Sequence, residues 1–354
     1  MARFNFLYRE LVLRTLRCWR RGWARLSGRR FCCKTLSGEA TLGCYVNSDM
    51  TVSCNCQDLD GSGQLGDLRQ NTFEEVFAGP RARQLREALA RGRLPLNRCA
   101  ACWSLETAAP RDAETQAQTF HLPQGLCIEN TVLCNLRCLS CCREEVLATR
   151  KQGRRLTPED VDSLGRTLQR LRATFCGFYN LGEPFFSPTI RQELETLRMY
   201  NPAMEIFIST NGVLINNDEK RAAALLADQI VVSLDGVSTP MVRRYQRGGD
   251  FEAAYENLKA LVALRDSLER EKPRIGWKYV LFRWNDHPAT IRTLLQLAEA
   301  AGVDYVQLTS SRTPWYGASW RFYLSPFHRS LGKRTGRFRD IRLPRPAQAT
   351  RDAA

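Results

Sequence analysis

The sequence predicts an α/β protein with a partial (β/α)6 barrel and a smaller cysteine-rich domain before it. From about residue 120, short β-rich runs alternate with helical segments six times. Six βα units in series imply a parallel sheet with right-handed crossovers. Three cysteines are packed into one short segment behind the first β-rich run, and seven more lie between residues 31 and 115. The barrel and the cysteine groups are therefore the two defining features of the sequence.

The first 30 residues predict an amphipathic helix. Its apolar row recurs at spacings of four and three residues and comprises Val12, Leu16, Trp19, Trp23 and Leu26. The opposite face carries four arginines, Arg14, Arg17, Arg21 and Arg25. Such a helix suits an anionic membrane surface or an acidic partner. The alternative is that its apolar row packs on the protein itself.

Residues 31–115 form the cysteine-rich region. Cys44 is followed by Cys54 and Cys56, and a helical segment separates them from the C-x2-C pair of Cys99 and Cys102. Two groups of thiols joined by a helix can fold into a four-cysteine site for zinc or for an iron–sulfur cluster. Spacing does not choose between these metals.

Residues 103–119 show no strong periodicity, and we predict a linker there. Strands are predicted near residues 125–130, 174–180, 204–209, 229–234, 275–282 and 305–309. A helix should begin at Thr157, which can cap it, with Pro158 in the first turn. Further helices are predicted at residues 218–227, 251–271 and 288–301. In parallel barrels the chemistry collects at the carboxyl ends of the strands, so the loops there should form the site.

The loop after the first strand carries Cys134, Cys138 and Cys141 at C-x3-C-x2-C spacing. Three thiols this close can bind three irons of a cubane cluster and leave the fourth iron open for a substrate or cofactor. Structural zinc is the rival interpretation. It prefers four ligands in two separated pairs, and Cys142 is poorly placed to complete such a set.

Short polar or glycine-containing segments follow the next three strands. They are Leu181-Gly182-Glu183-Pro184, Ser209-Thr210-Asn211-Gly212 and Ser233-Leu234-Asp235-Gly236. Each taken alone is typical of a turn or a helix cap. Their order and their common position at strand ends predict a ligand site.

Together these segments resemble the radical S-adenosylmethionine (SAM) superfamily, whose cysteine loop often carries Asn after its first Cys, as at Asn135. The resemblance covers residues 120–310. It implies a [4Fe–4S] cluster on the three loop cysteines with SAM bound to the open iron. It also implies SAM contacts, with the amino group from Gly182, Glu183 and Pro184, and with the ribose and carboxylate from Ser209, Asn211, Ser233 and Asp235. Leu181 stands where the family has Gly.

Residues 40–105 resemble the SPASM region of radical SAM enzymes, which binds auxiliary [4Fe–4S] clusters, although here the region precedes the core. The resemblance implies one auxiliary cluster on Cys44, Cys54, Cys99 and Cys102, with Cys56 as the alternative second ligand. Cys32 and Cys33 could contribute, although neighbouring cysteines seldom bind one metal together. The stretch Tyr245-Gln246-Arg247-Gly248-Gly249 is similar to a segment of SPASM-bearing members. Arg247 is accordingly expected to bind a cofactor carboxylate, with Arg244 as the alternative.

The resemblance implies a radical SAM oxidoreductase that modifies a peptide, protein or saccharide and receives electrons from a reductant such as flavodoxin or ferredoxin. A second hypothesis is a non-catalytic zinc or iron–sulfur binding module that docks partners through its basic termini. We predict four regions, namely the helix 1–30, the SPASM-like domain 31–115, the radical SAM core 116–310 and a basic tail 311–354.

The net charge of +15 is concentrated at the two ends of the chain. Residues 1–30 hold nine Arg and one Glu, and residues 311–354 hold ten Lys or Arg and two acids. A nucleic-acid enzyme would carry basic charge around its active site, so we expect no nucleic-acid partner. Cysteines at metal-ligand spacing predict a cytoplasmic protein. Membrane contact would be peripheral, through the N-terminal helix.

Overall fold

The structure, a computed structural model, describes residues 2–40, 44–55, 58, 60–150 and 153–343. These residues fall into two compact units. The first comprises Met1–Leu133, Cys141–Ser187 and Glu195–Ile206, and the second comprises Cys134–Ser140, Pro188–Leu194 and Phe207–Ala354, each over its described residues.

The helices, in chain order, are α1 (Ala2–Leu26), α2 (Lys34–Ser37), α3 (Phe73–Ala78), α4 (Pro80–Ala90), α5 (Pro110–Gln118), α6 (Arg143–Thr149), α7 (Pro158–Arg170), α8 (Ile190–Tyr200), α9 (Asp218–Ala224), α10 (Thr239–Arg243), α11 (Phe251–Ser267), α12 (Pro288–Ala300), α13 (Arg321–Leu324) and α14 (Pro326–Ser330). The strands are β1 (Arg30–Cys33), β2 (Tyr45–Val46), β3 (Thr51–Ser53), β4 (Gln64–Asp67), β5 (Leu105–Ala108), β6 (Gly125–Ile128), β7 (Arg137–Cys138), β8 (Phe175–Phe178), β9 (Glu205–Thr210), β10 (Gln229–Ser233), β11 (Gln246–Arg247), β12 (Arg274–Leu281), β13 (Tyr305–Ser310), β14 (Lys333–Thr335) and β15 (Phe338–Arg342). Short 3₁₀ helices cover Asn97–Ala101, Pro184–Phe186 and Trp315–Gly317.

The first unit contains the opening strands of the parallel sheet. β6 pairs in parallel with β2 on one side and with β8 on the other. β3 and β4 extend the β2 edge by antiparallel pairing. All four residues of β6 are buried, as expected of a parallel strand covered on both faces.

The second unit continues with parallel strands. β9 pairs with β10, β10 with β12, and β12 with β13, all in parallel. The chain crosses from the first unit to the second within β9. All six predicted strands are therefore present, as β6, β8, β9, β10, β12 and β13. The mixed α/β class with a parallel-strand sheet is confirmed.

The structure confirms that α7 begins directly after Thr157, which caps the helix. Thr157 Oγ1 accepts the N–H of Asp160 at 3.2 Å, and Asp160 Oδ2 accepts the N–H of Thr157 at 3.0 Å. This reciprocal pair satisfies two N–H groups that the first turn leaves without helical partners. Pro158 follows at the first helical position.

The linker predicted at residues 103–119 is wrong. This segment contains β5, which pairs antiparallel with β1, and α5, which begins at Pro110 and buries Ala113. Local periodicity missed β5 because its pairing partner lies more than 70 residues earlier in the chain. Within the basic C-terminal region, β15 pairs antiparallel with β13 and with β14.

The apolar row predicted for α1 is not its packing face. Leu13 and Ala24 are the buried residues of the described part of the helix, at 4% and 1% exposure, whereas Trp19 and Trp23 are 64% and 44% exposed. The helix therefore packs on its own unit through one face and presents two tryptophans on its surface. Among the described helices, none is both long and apolar enough to cross a bilayer.

Candidate functional site

The first part of the cysteine loop, Cys134–Ser140, belongs to the second unit and is fixed by main-chain pairing. Within it, β7 pairs antiparallel with β11, so that Cys138 lies opposite Gln246. The N–H of Leu136 donates to Cys134 Sγ at 3.3 Å. N–H donors to a cysteine sulfur stabilise its thiolate form, which is the form that binds iron.

Asn211, at the end of β9, orients the same loop. Its Nδ2 donates to Asn135 Oδ1 at 2.8 Å and lies 3.9 Å from Cys134 Sγ. Its Oδ1 accepts the N–H of Val213 at 3.0 Å, which fixes the amide orientation. The structure thus brings together the first predicted iron ligand and one predicted SAM contact.

Gln246 is a site residue that the sequence analysis missed. It is 4% exposed. Its Oε1 accepts the N–H of Asp235 and its Nε2 donates to the carbonyl oxygen of Ser233, both at 2.9 Å. One side chain therefore joins the end of β10 to β11, which pairs with the cysteine loop. The stretch around Gln246 was noticed only for its arginines, and an isolated glutamine gives no pattern of its own.

Asp235 is 3% exposed, and burial raises the pKa of its carboxyl to about 7. Two groups oppose this shift, namely the N–H of Val280, which donates to Asp235 Oδ1 at 2.8 Å, and the charge of Lys278. Burial in turn lowers the pKa of the Lys278 amine. Lys278 lies opposite Ser233 in the register of β10 and β12. Polar side chains thus share neighbouring positions near the carboxyl ends of these strands.

The predicted arginine, Arg247, is exposed on β11 directly opposite Arg137 of β7. The alternative, Arg244, is stacked on the ring of Trp284, with its guanidinium carbon 5.2 Å from the ring centroid. Arg244 is therefore engaged by an aromatic contact.

In the first unit, the segment after β8 is fixed against the chain that precedes the cysteine loop. An added Cβ at Gly182 would lie 1.8 Å from the carbonyl oxygen of Thr131, so only glycine fits there. The N–H of Glu183 donates to the carbonyl oxygen of Leu133 at 2.8 Å. The Glu183 side chain is buried and accepts the N–H of Phe185.

Leu181, which stands in place of the family's glycine, packs beside an apolar cluster that contains Val132, Cys142 and Val146. Cys142 is 3% exposed and belongs to the packing of this cluster. Burial also raises the pKa of the Cys141 thiol, which belongs to the same unit. Cys142 is thus buried, whereas the neighbouring Cys141 is partly exposed.

A second group of thiols lines one small apolar cavity of the first unit. Its cysteines are Cys33, Cys54, Cys99 and Cys102. Burial raises the pKa of Cys33 to about 12 and that of Cys99 to about 11, and neighbouring thiols add to both shifts. Cys54 is buried and the other three cysteines are partly buried. Four thiols close enough to repel one another as thiolates are a donor set that a metal or an iron–sulfur cluster would stabilise.

The sequence analysis named Cys44 for this set, and the structure places it elsewhere. Cys44 is 1% exposed, and its carbonyl oxygen accepts the N–H of Cys127 at 2.8 Å. Burial and the neighbouring Cys127 both raise the pKa of Cys44. The alternative ligand, Cys56, lies outside the described residues. The thiol that joins Cys54, Cys99 and Cys102 around the cavity is therefore Cys33.

Helix α1 closes one side of this cysteine region. Arg17 Nη1 donates to Asn97 Oδ1 at 2.8 Å, and Arg17 Nη2 donates to the carbonyl oxygen of Leu94 at 2.7 Å. These bonds hold the segment that leads into the 3₁₀ helix Asn97–Ala101, which contains Cys99. An arginine of the face predicted to suit an anionic membrane or an acidic partner is thus a structural clamp within the protein.

Over the described residues, no three His, Cys, Asp or Glu side chains are arranged to hold a single metal ion. A [4Fe–4S] cluster takes each thiolate on a different iron atom and does not require such an arrangement.

Comparison with known proteins identifies the domain around the cysteine loop. Residues 128–268 match the radical SAM superfamily. The chain contains a radical SAM domain. A [4Fe–4S] cluster and SAM are the cofactors of this superfamily, as the sequence predicts.

The GTP 3′,8-cyclase of Alkaliphilus oremlandii (strain OhILAs) is 25% identical over 142 residues, covering 39% of this chain and 42% of that protein. The probable GTP 3′,8-cyclase of Methanosarcina mazei is 31% identical over 122 residues, covering 34% of this chain and 35% of that protein. The chain therefore spans about two-fifths of the length of these curated relatives. The crystal structure of Streptococcus suis SuiB bound to S-adenosylmethionine has a TM-score of 0.41 and 11% identity, covering 79% of this chain and 63% of that one.

Proposed function

We propose that the radical SAM domain cleaves SAM reductively at a [4Fe–4S] cluster held by Cys134, Cys138 and Cys141, and that it oxidatively modifies a peptide, protein or saccharide. The observation that carries this proposal is the fixed loop geometry. Cys134 Sγ receives the N–H of Leu136 and lies beside the amide of Asn211, so this sulfur is already stabilised for metal binding.

The proposed SAM contacts are Gly182, Glu183, Pro184, Ser209, Asn211, Ser233, Asp235 and Arg247. Their role is to hold the cofactor in one orientation, which lowers the entropic cost of reaching the reactive geometry. When bound, the reduced cluster supplies the electron that cleaves SAM into methionine and a 5′-deoxyadenosyl radical, which abstracts hydrogen from the substrate. Gln246 acts as a positioning residue, because it fixes the main chain at Ser233 and Asp235.

The auxiliary [4Fe–4S] cluster, in this proposal, is bound by Cys33, Cys54, Cys99 and Cys102. Its support is the common cavity that these four thiols line. An auxiliary cluster would accept the electron released when the substrate radical is oxidised, or would bind the substrate. A reductant of the flavodoxin or ferredoxin type would supply the first electron.

The test is anaerobic reconstitution of the wild-type protein and of a variant with all three loop cysteines replaced by Ala. The variant should lose about half of its iron, because one of two proposed four-iron clusters is removed. It should also form no 5′-deoxyadenosine under dithionite. Cys142→Ala is the matched control, since this neighbouring thiol is buried in an apolar cluster, and it should keep both iron and turnover. A triple variant that keeps all its iron would reject the loop as a cluster site.

A non-catalytic metal-binding module is distinguished by the same preparation. Bound zinc without SAM turnover in the wild-type protein would favour it. The curated relatives are named GTP 3′,8-cyclases, so GTP belongs among the compounds tested for their effect on 5′-deoxyadenosine yield.

We also propose peripheral contact between α1 and an anionic membrane. Support comes from the two exposed tryptophans, Trp19 and Trp23, on a helix rich in arginine. Tryptophan side chains favour the interface of a bilayer, and arginines near anionic lipid add roughly 1 kcal/mol each.

A further inference from the structure

The loops that follow β12 and β13 in the second unit line a cavity of about 320 Å³. The lining residues are Arg283, Trp315, Tyr316, Ala318, Trp320 and Arg321. The volume lies at the lower end of the range for ligand cavities, roughly 300–1,000 Å³. The position is also informative, because ligands of parallel α/β sheets bind outside the carboxyl ends of the strands.

Large aromatic side chains remain accessible around this cavity. Trp315 and Trp320 are 51% and 57% exposed, and Tyr316 is 37% exposed. Tyr323 and Leu324 of α13 are also exposed, at 47% and 67%. Exposed apolar surface of this kind, rimmed by polar groups, marks a binding site more often than chance placement.

The ring geometry favours irregular side chains over a flat ligand. The rings of Trp315 and Tyr316 are nearly perpendicular, at 85°, with centroids 6.1 Å apart. A flat base is usually held between parallel faces, but the parallel pair nearby, Phe282 and Trp284, is already closed at 4.7 Å. The exposed rings therefore present edges and corners between which aliphatic or aromatic side chains can pack.

The lining contains two arginines, and Arg321 is ion-paired with Asp286, so the positive charge offered to a ligand is that of Arg283. Arg321 Nη1 donates to Asp286 Oδ1 at 2.7 Å, and Ser319 Oγ donates to Asp286 Oδ2 at 2.6 Å. Both oxygens of this fully buried carboxylate therefore already accept a hydrogen bond from the protein. Arg283 is exposed, and its Nη1 makes one long contact of 3.4 Å with the carbonyl oxygen of Tyr316. The lining residues in the described part of the chain include no carboxylate. A carboxylate on the ligand would complement this charge.

We propose that this cavity binds a segment of a peptide or protein substrate in which an acidic residue neighbours a bulky apolar residue. This inference rests on the proposed function, because it selects peptides over saccharides within it. Tryptophan, tyrosine and arginine are the residue types enriched at the energetic centres of protein interfaces. A saccharide site would need several acceptors for its hydroxyl groups, and among the lining residues that the structure describes the Tyr316 hydroxyl is the one side-chain group that can accept.

The experiment measures binding of a fluorescein-labelled hexapeptide that alternates aspartate and leucine to the anaerobically reconstituted full chain, by fluorescence anisotropy. The matched probe has every aspartate replaced by asparagine. The variants are Trp315→Ala and Arg283→Gln. Their controls are Trp103→Ala, an exposed tryptophan of the first unit, and Arg270→Gln, an exposed arginine outside the cavity lining. Far-ultraviolet circular dichroism confirms that each variant is folded.

We expect each cavity variant to weaken binding of the acidic probe by about tenfold, with both controls unchanged. The asparagine probe should bind weakly to every protein. Equal binding of the two probes, or equal binding to wild type and both cavity variants, would overturn the proposal. Displacement of the peptide by GTP would also overturn the proposal if Trp315→Ala or Arg283→Gln weakened GTP binding. That result would identify the cavity as a nucleotide site.

SAM cleavage without added peptide, measured on the same preparations, separates the two proposals. Peptide binding that depends on Trp315 and Arg283 in a protein that never cleaves SAM would refute the proposed function alone. Normal SAM cleavage in a protein that does not bind the acidic probe would refute the cavity assignment alone.

Discussion

Replacing Asp235 with Asn should remove a pH dependence from the stability of the fold. Asp235 is 3% exposed, and burial raises the pKa of its carboxyl to about 7. In the unfolded chain this pKa is about 3.9. Between these two values the folded state keeps a proton that the unfolded state has released. Stability therefore falls as pH rises through this window.

The expected magnitude follows from the difference of about three pKa units. Each unit corresponds to about 1.4 kcal/mol, so the carboxyl lowers the unfolding free energy by about 4 kcal/mol once the pH exceeds 7. Below about pH 4 both states are protonated and the cost is absent. Asparagine cannot ionise, yet it keeps an oxygen that can accept the N–H of Val280, which lies 2.8 Å from Asp235 Oδ1. The variant should therefore gain stability relative to wild type as pH rises.

The assay is urea unfolding of wild type and Asp235→Asn, followed by tryptophan fluorescence, at several pH values from about 4.5 to 8. The quantity of interest is the difference in unfolding free energy, in which contributions from titrating groups that do not interact with Asp235 cancel. Asp218→Asn is the control, because this carboxyl is fully exposed and its ion pair with Arg221 lies at the surface, where such pairs contribute little to stability; its difference from wild type should stay small. A flat difference for Asp235→Asn would refute the reasoning.

Three further predictions test other parts of the structure. Gly182→Ala should abolish SAM cleavage, because the new Cβ would lie 1.8 Å from a main-chain oxygen. Gly22→Ala is the control and should leave cleavage intact, because no described atom lies within 4 Å of its added Cβ. Equal 5′-deoxyadenosine yields from the two variants would contradict this prediction. Cys33→Ala should lower the iron content by about half, whereas Cys44→Ala should keep the full iron content, because Cys33 lines the thiol cavity and Cys44 does not. A larger loss of iron in Cys44→Ala than in Cys33→Ala would favour the ligand set predicted from the sequence. Replacing both exposed tryptophans of α1 with Ser should reduce co-sedimentation with anionic liposomes, because each indole can bury on the order of 200 Å², and unchanged sedimentation at low and high salt would exclude the contact.

The parallel sheet was predictable because its information is local. Each strand of the second half of the chain is a short β-rich run bounded by turns, and a cap such as Thr157 marks where a helix begins. Helix ends were less accurate, since α11 stops at Ser267 rather than at residue 271. β5 was missed for the opposite reason. Its stability comes from pairing with β1, and no local pattern records a distant partner.

In the candidate site, too, residues in local patterns were predicted and residues defined by distant contacts were not. Asn211 and Asp235 were found because polar residues at strand ends follow a pattern. Gln246 was not found, because its importance lies in two hydrogen bonds to main-chain groups that are distant in sequence. Cys33 was predicted only as a possible contributor, together with Cys32, because neighbouring cysteines seldom bind one metal together. Only the folded position of β1 shows which thiol of the pair joins the cavity.

The clamp made by Arg17 has a consequence for how the cysteine region is assembled during synthesis. Its partners, Asn97 and Leu94, are 80 and 77 residues further along the chain. A growing chain emerges from the ribosome N-terminus first, so α1 is present long before the groups that Arg17 binds. Cys33 and Cys54 have also emerged by then, and Cys99 follows Asn97 by two residues. The helix therefore cannot lock over this region until Cys33 and Cys54 have been made and Cys99 and Cys102 are within five residues of being added, so α1 is fixed over the cysteine region only late in the synthesis of that region.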